Sequence, residues 1–94
     1  MGYTWDPEKA RSNRRKHGVD FADAVGVFED PFARTIPDSY PHEARFATLG
    51  RDFLGQIVVV VWTHDGDDVR PISARRATPR QRRAYSEGID EQRT

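Results

Sequence analysis

The chain has no cysteine, which excludes disulfides and thiolate metal sites and fits a reducing compartment, the cytoplasm. No apolar run approaches the ~20 residues that cross a bilayer; the longest, IVVVVW from Ile57 to Trp62, has the length of a strand. The opening MGYTWDPEKARSNRRKHG has no apolar segment of the kind a secretory signal needs. Gly2 is followed by Tyr3, Thr4, Trp5 and Asp6, which does not fit a myristoylation signal. Phosphate-binding glycine loops, nucleotide fingerprints and nucleophile elbows are all missing. The three histidines, His17, His42 and His64, have no metal-ligand spacing, and Asp65–Gly66–Asp67–Asp68 fails the calcium-loop pattern. No membrane association, metal or cofactor is expected.

What is present is enough for one small domain. A chain of 94 residues buries only about two-thirds of the surface its unfolded form exposes, so the core must be compact. Composition is 36% hydrophobic and 32% charged, which is charged for a globular protein but not disordered. The domain is expected over residues 1–88, with a flexible tail at 89–94. The net charge of zero conceals a pattern. Residues 1–20 carry a net +2, residues 21–68 a net −6, and residues 69–94 a net +4. A fold that brings the ends together has one positive face that steers an anionic partner.

The elements read as follows. Asp6 caps a helix with Pro7 at its first position, and Gly18 ends it near His17. That helix is polar almost all round. Lys9, Asn13 and Lys16 fall on one face, with His17 beside it. Asp20 caps a second helix, Phe21 to Glu29, whose Phe21, Ala24, Val25 and Phe28 form a buried stripe. Residues 32–37 suit a short edge strand. Ala44 to Leu49 is a second strand, and Glu43 and Arg45 at its start point the same way. Gly50 to Gly55 is a hairpin loop.

Ile57 to Trp62 is apolar at every position, as a central strand buried on both faces should be. Asp65–Gly66–Asp67–Asp68 turns the chain back into a strand from Val69 to Arg76. Pro71 there requires a free side or a bulge. A strict period of two puts Arg70, Ile72, Ala74 and Arg76 on one face, and Val69, Ser73 and Arg75 on the other. Thr78–Pro79–Arg80–Gln81 is a capping box that opens a last helix, expected to stop at Gly88. The fold class is α+β: two N-terminal helices, a three- to four-stranded antiparallel meander and one C-terminal helix, with the helices on one sheet face.

The densest charge is Arg75, Arg76, Arg80, Arg82 and Arg83, within nine residues. Arginine's bidentate fork matches phosphate oxygens. Trp5, Tyr40, Trp62 and Tyr85 are candidates to stack on bases. Each has a plainer explanation: Trp62 as core, Trp5 as a staple packed on Ala10, Arg80 and Arg83 as a solvated helix face, Glu43 and Arg45 as a surface pair.

WDPEKARSNRRKHGVDFADAVGVFED, then HEARFATLG, IVVVVWT and VRPISARRATPRQRRAY, together resemble the BrnT family of toxins, over roughly residues 4–86. The WD-x-x-KA-x-x-N-x-x-KHG opening and the ISAR-x-AT-x-x-x-RR-x-Y close carry the resemblance as a pair. It implies a RelE-like fold and a metal-independent endoribonuclease of a type II toxin–antitoxin system that inhibits translation. It also implies a BrnA-like antitoxin partner, which carries any DNA contact, and an RNA substrate. The chemistry implied is attack of a ribose 2′-hydroxyl on the adjacent phosphate. His17 or Glu43 is then base or acid, with Arg45, Arg75 and Arg76 completing the catalytic set. Lys9, Lys16, Arg80, Arg83 and Tyr85 are the expected RNA contacts. Many RelE-type toxins are strongly basic, whereas this chain is neutral, so its acidic middle is expected away from the RNA face. A non-catalytic nucleic-acid-binding module and a protein-interaction module are the alternatives.

Overall fold

The computed structural model describes residues 1–38 and 43–93, with side chains described to residue 89. Tyr40 and His42 lie outside the described residues. Helix α1 spans Pro7–His17 and α2 spans Phe21–Ala24, which tightens into a 3-10 turn over Val25–Glu29. Strands β1 (Arg34–Asp38), β2 (Arg45–Arg51), β3 (Ile57–Asp65) and β4 (Asp68–Arg76) follow, then α3 (Pro79–Arg93). The strands form one antiparallel meander in the order β1-β2-β3-β4, the α+β arrangement the sequence implies.

Strand β3 is the centre of the core. Val58, Val60 and Trp62 on one of its faces cluster with Val19, Phe21, Ala24 and Val27. Burying a side chain of this class contributes about 1.5–3 kcal/mol. Trp62 keeps its indole N–H satisfied by donating to the Thr48 hydroxyl at 2.8 Å, and Thr48 shares a 2.7 Å hydrogen bond with Thr35. Val59, on the other face, is buried as well. It stands in register with Arg75, whose side chain bonds Gln81 of α3. The helices therefore lie on both faces: α2 and its 3-10 turn on one, α3 on the other. A continuous apolar strand needs cover on both sides, which the expectation of a single helical layer did not provide.

Two helix limits differ from expectation. The second helix is mostly 3-10, so its buried positions step by three, and Val27 is buried while Phe28 is only half-buried. A Cβ at Gly26 of this turn would stand 2.5 Å from the Phe53 nitrogen of the β2–β3 loop, so loop and turn touch through backbone. Helix α3 also runs through Gly88 instead of stopping there. The missing side chain at Gly88 leaves the space that Arg34's guanidinium fills.

Strand β4 carries a bulge. Val61 pairs with Ser73 but Trp62 pairs with Pro71, leaving Ile72 as the extra residue. The strict alternation expected for this strand is broken there. Val69, Pro71 and Ala74 all turn to the core, and Arg70 joins the face of Ser73 and Arg75.

Candidate active site: a basic groove between helix α1 and strand β4

Helix α1 forms because both its ends are capped. Asp6 accepts the Glu8 N–H at 2.9 Å, and Gly18 closes the helix in the left-handed conformation (φ 70°), donating to the Arg14 carbonyl. The helix has little apolar surface, so a polar contact fixes its position. Asn13 is buried and bridges to the outer edge of β4. Its amide donates to the Ala74 and Val19 carbonyls, both at 2.9 Å, and its oxygen accepts the Ala74 N–H at 3.0 Å. One side chain thus does for β4 what a fifth strand would do. Further along the same edge, Thr4 donates to the Val69 carbonyl at 3.0 Å and Val69 donates to Gly2 at 2.9 Å. Between these two seals lie Pro71, which has no N–H to satisfy, and the bulged Ile72.

The gap between the seals opens into two clefts that share Lys9 and Ile72. The larger, of about 320 Å³, is walled by Asp6, Lys9, Glu43, Arg45 and Arg70. The smaller, of about 160 Å³, is walled by Lys9, Ser12, Lys16, His17 and Ser73. Glu43 organises the larger cleft. It accepts from Arg45 Nε at 2.9 Å and lies 3.6 Å from Arg70 Nη2, with all three side chains partly exposed. Two guanidinium groups are thereby aimed into one cleft opposite a lysine.

Five expected site residues come together here: Lys9, Lys16, His17, Glu43 and Arg45. The acidic middle is not wholly removed from this face, since Glu43 lies in it. The other five lie elsewhere. Arg75 shares the sheet face of Arg70 but bonds Gln81 of α3, and Arg76 points to the opposite face, bonding Gln56 at 3.0 Å. The two arginines do face opposite ways, as the period of two requires. Arg80 and Arg83 are exposed on α3, outside the groove.

Tyr85 is 4% exposed, so its ring is not presented for stacking. Its hydroxyl donates to Asp30 at 2.6 Å, and the Arg51 guanidinium lies over its ring. Burial and then the Asp30 hydrogen bond and charge raise the Tyr85 hydroxyl above its ordinary value, against Arg51. Burial opposes ionisation of Asp30. The Tyr85 hydroxyl, the Arg51 and Phe32 N–H groups and the Arg51 charge outweigh it and hold the carboxyl below its ordinary value. This pair ties α3 to the end of the 3-10 turn. The other two described stacking candidates are also occupied: Trp62 in the core and Trp5 edge-on to Phe21.

Arg70 is the groove residue that sequence reasoning missed. Pro71 was the available signal. A bulge placed just after it reverses the face of Arg70 and sends it to Glu43 and Arg45.

With this geometry in place the comparisons are informative. The model of the family described as "Ribonuclease toxin, BrnT, of type II toxin-antitoxin system" matches residues 5–81. The chain belongs to the BrnT family. The stretch that matches contains every residue of the α1–β4 groove and the whole sheet. Among solved structures, the 1.1 Å crystal structure of the Brucella abortus ribonuclease toxin BrnT is similar, with a TM-score of 0.63 and 26% identity, over 83% of this chain and 99% of that one. No curated protein matches it significantly in sequence. Membership makes the chain a ribonuclease toxin of a type II toxin–antitoxin system, and implies an antitoxin as partner.

Proposed function

We propose that the chain is an endoribonuclease that cuts RNA in the α1–β4 groove by internal transesterification, without a metal ion. The observation that carries this is the pair of adjoining clefts that share Lys9, one with Arg45 and Arg70, the other with Lys16 and His17. The ribose 2′-oxygen forms a bond to the adjacent phosphorus as the bond from phosphorus to the 5′-oxygen breaks. The products are a 2′,3′-cyclic phosphate and a 5′-hydroxyl. Cations that stabilise the crowded, doubly charged phosphorane supply most of the barrier reduction in such a step. Arg45 and Arg70 take its equatorial oxygens and Lys9 approaches from the helix side.

His17 exchanges the protons. Imidazole can both take and give a proton, and among the described residues no hydrogen bond occupies its ring. Glu43 is assigned to holding the two arginines, because its carboxylate oxygens are already committed to them. Cleavage of messenger RNA then inhibits translation in the cytoplasm, and a BrnA-like antitoxin neutralises the toxin and supplies any DNA contact.

The test is incubation of purified protein with RNA in excess chelator, followed by end-group analysis. Cyclic phosphate and 5′-hydroxyl ends are expected. A strict need for added metal, or 5′-phosphate ends, would overturn the mechanism. Binding without any cleavage would leave a non-catalytic nucleic-acid module.

A further inference from the structure

A second basic pocket lies outside the groove, between the end of the β2–β3 hairpin and the start of α3. It has a volume of about 450 Å³ and is lined by Arg51, Gly55, Gln56, Ile57, Arg76 and Arg82. Its three guanidinium groups are each tethered by a neutral oxygen. Arg51 Nη1 donates to the Gly55 carbonyl at 2.8 Å, Arg76 Nε to the Gln56 amide oxygen at 3.0 Å, and Arg82 Nη1 to the Ala77 carbonyl at 2.9 Å. Among the described residues no carboxylate stands within ion-pair distance of any of the three side chains. Tethers of this kind fix the planar forks without cancelling their charge. Each arginine keeps unused N–H donors, the geometry that bidentate phosphate recognition requires. Arg51 also feels the Asp30 carboxylate, which leaves Arg76 and Arg82 as the two guanidinium groups without a counter-ion among the described residues.

The pocket shares no lining residue with the groove's two clefts, but it lies next to the end of α1. Helix α1 runs beside β4 in the same direction, with Lys9 next to Ile72, Asn13 on Ala74, and Gly18 beside Arg76. A Cβ on Gly18 would lie 4.0 Å from Arg76 Nη2, so the helix end carrying Lys16 and His17 abuts the pocket. From Arg70 to Arg76 the strand covers about 20 Å. His17 precedes Gly18 in the chain and so stands at the Arg76 end of that span.

We propose that Arg51, Arg76 and Arg82 form a phosphate subsite that holds the same RNA strand beside the cut, beyond the His17 end of the groove. This rests on the ribonuclease reading of the groove. The subsite reads backbone charge, so it sets a minimum substrate length rather than a base preference.

The experiment measures kcat/KM on synthetic oligoribonucleotides from the dinucleotide to the dodecanucleotide. The unaltered protein gains activity as length grows beyond the dinucleotide and then levels off. Arg82→Gln cleaves the dinucleotide as before but loses the gain with length. Adding Arg76→Gln deepens that loss, and the salt slope on long substrates falls by about 0.7 per phosphate contact removed. A length profile unchanged in the double variant overturns the subsite. Failure to cut any oligonucleotide counts instead against the ribonuclease reading. The subsite is then tested alone by fluorescence anisotropy with a 2′-O-methyl dodecanucleotide, which cannot be cleaved. About tenfold weaker binding by the double variant supports it, and equal binding overturns it.

Discussion

Substituting Asn13 by alanine tests how a polar helix is held to the sheet. Asn13 is buried and makes three hydrogen bonds that link α1, the Val19 carbonyl and the free edge of β4. Alanine removes all three and leaves the Ala74 N–H and two carbonyls without their partner. At about 1 kcal/mol net for each bond, the loss is about 3 kcal/mol, and more if water cannot reach the vacated groups. A domain of this size has about 5–15 kcal/mol in all. Each kcal/mol shifts melting by roughly 4–8 °C, so the midpoint should fall by about 12–24 °C.

Thermal and urea unfolding followed by circular dichroism give that number. Below the new midpoint, RNA cleavage by the folded fraction should drop as well, because α1 carries Lys9, Lys16 and His17 toward Arg70. Asn13→Asp should not rescue either property. It keeps the acceptor for Ala74 but loses both donors and sets an anion against two carbonyls. A loss under about 1 kcal/mol would refute the reasoning, since the edge contact would then hold nothing.

Arg70→Ala should lower cleavage by about 10²–10³-fold, the range for removing one preorganised charge-stabilising group, with melting little changed because Arg70 is partly exposed. Gly26→Ala should cost about 1–3 kcal/mol, read by urea unfolding, because its Cβ would meet loop backbone at 2.5 Å. Asp30 has a depressed folded-state value, so the stability it contributes is present above the ordinary carboxyl range near ~3.9 and is lost as pH falls through the lower folded value. Tyr85→Phe removes one of the hydrogen bonds that hold Asp30 down, so melting as a function of pH should fall less steeply on the acid side in the variant.

Much of the fold was legible because local chemistry and packing agree there. The caps at Asp6, Gly18 and Thr78–Gln81 are short-range, and each forms the bonds its residues suggest. The apolar run at Ile57–Trp62 had to be central. The sequence was silent where a distant segment decides the outcome. The loop backbone pressed on Gly26 leaves no room for a side chain in the 3-10 turn, and Arg34 takes the space that a side chain at Gly88 of α3 would need.

The same limit applied to the site. His17, Lys9 and Lys16 could be grouped by helical spacing, and Glu43 with Arg45 by strand parity. Arg70 was misplaced because one extra residue at Ile72 reverses the face of everything before it. Tyr85 was misplaced because its partner Asp30 is 55 residues away. Asn13 looked like part of a basic face, but its side chain is committed to the sheet edge.

The central claim is that the α1–β4 groove cuts RNA with its own side chains. Its most direct test is the cleavage rate of purified His17→Ala against the unaltered protein, on one RNA, in excess chelator. Removing a proton-transfer group should cost about 10²–10⁴-fold in rate with RNA binding retained. Equal rates for the two proteins would contradict the account.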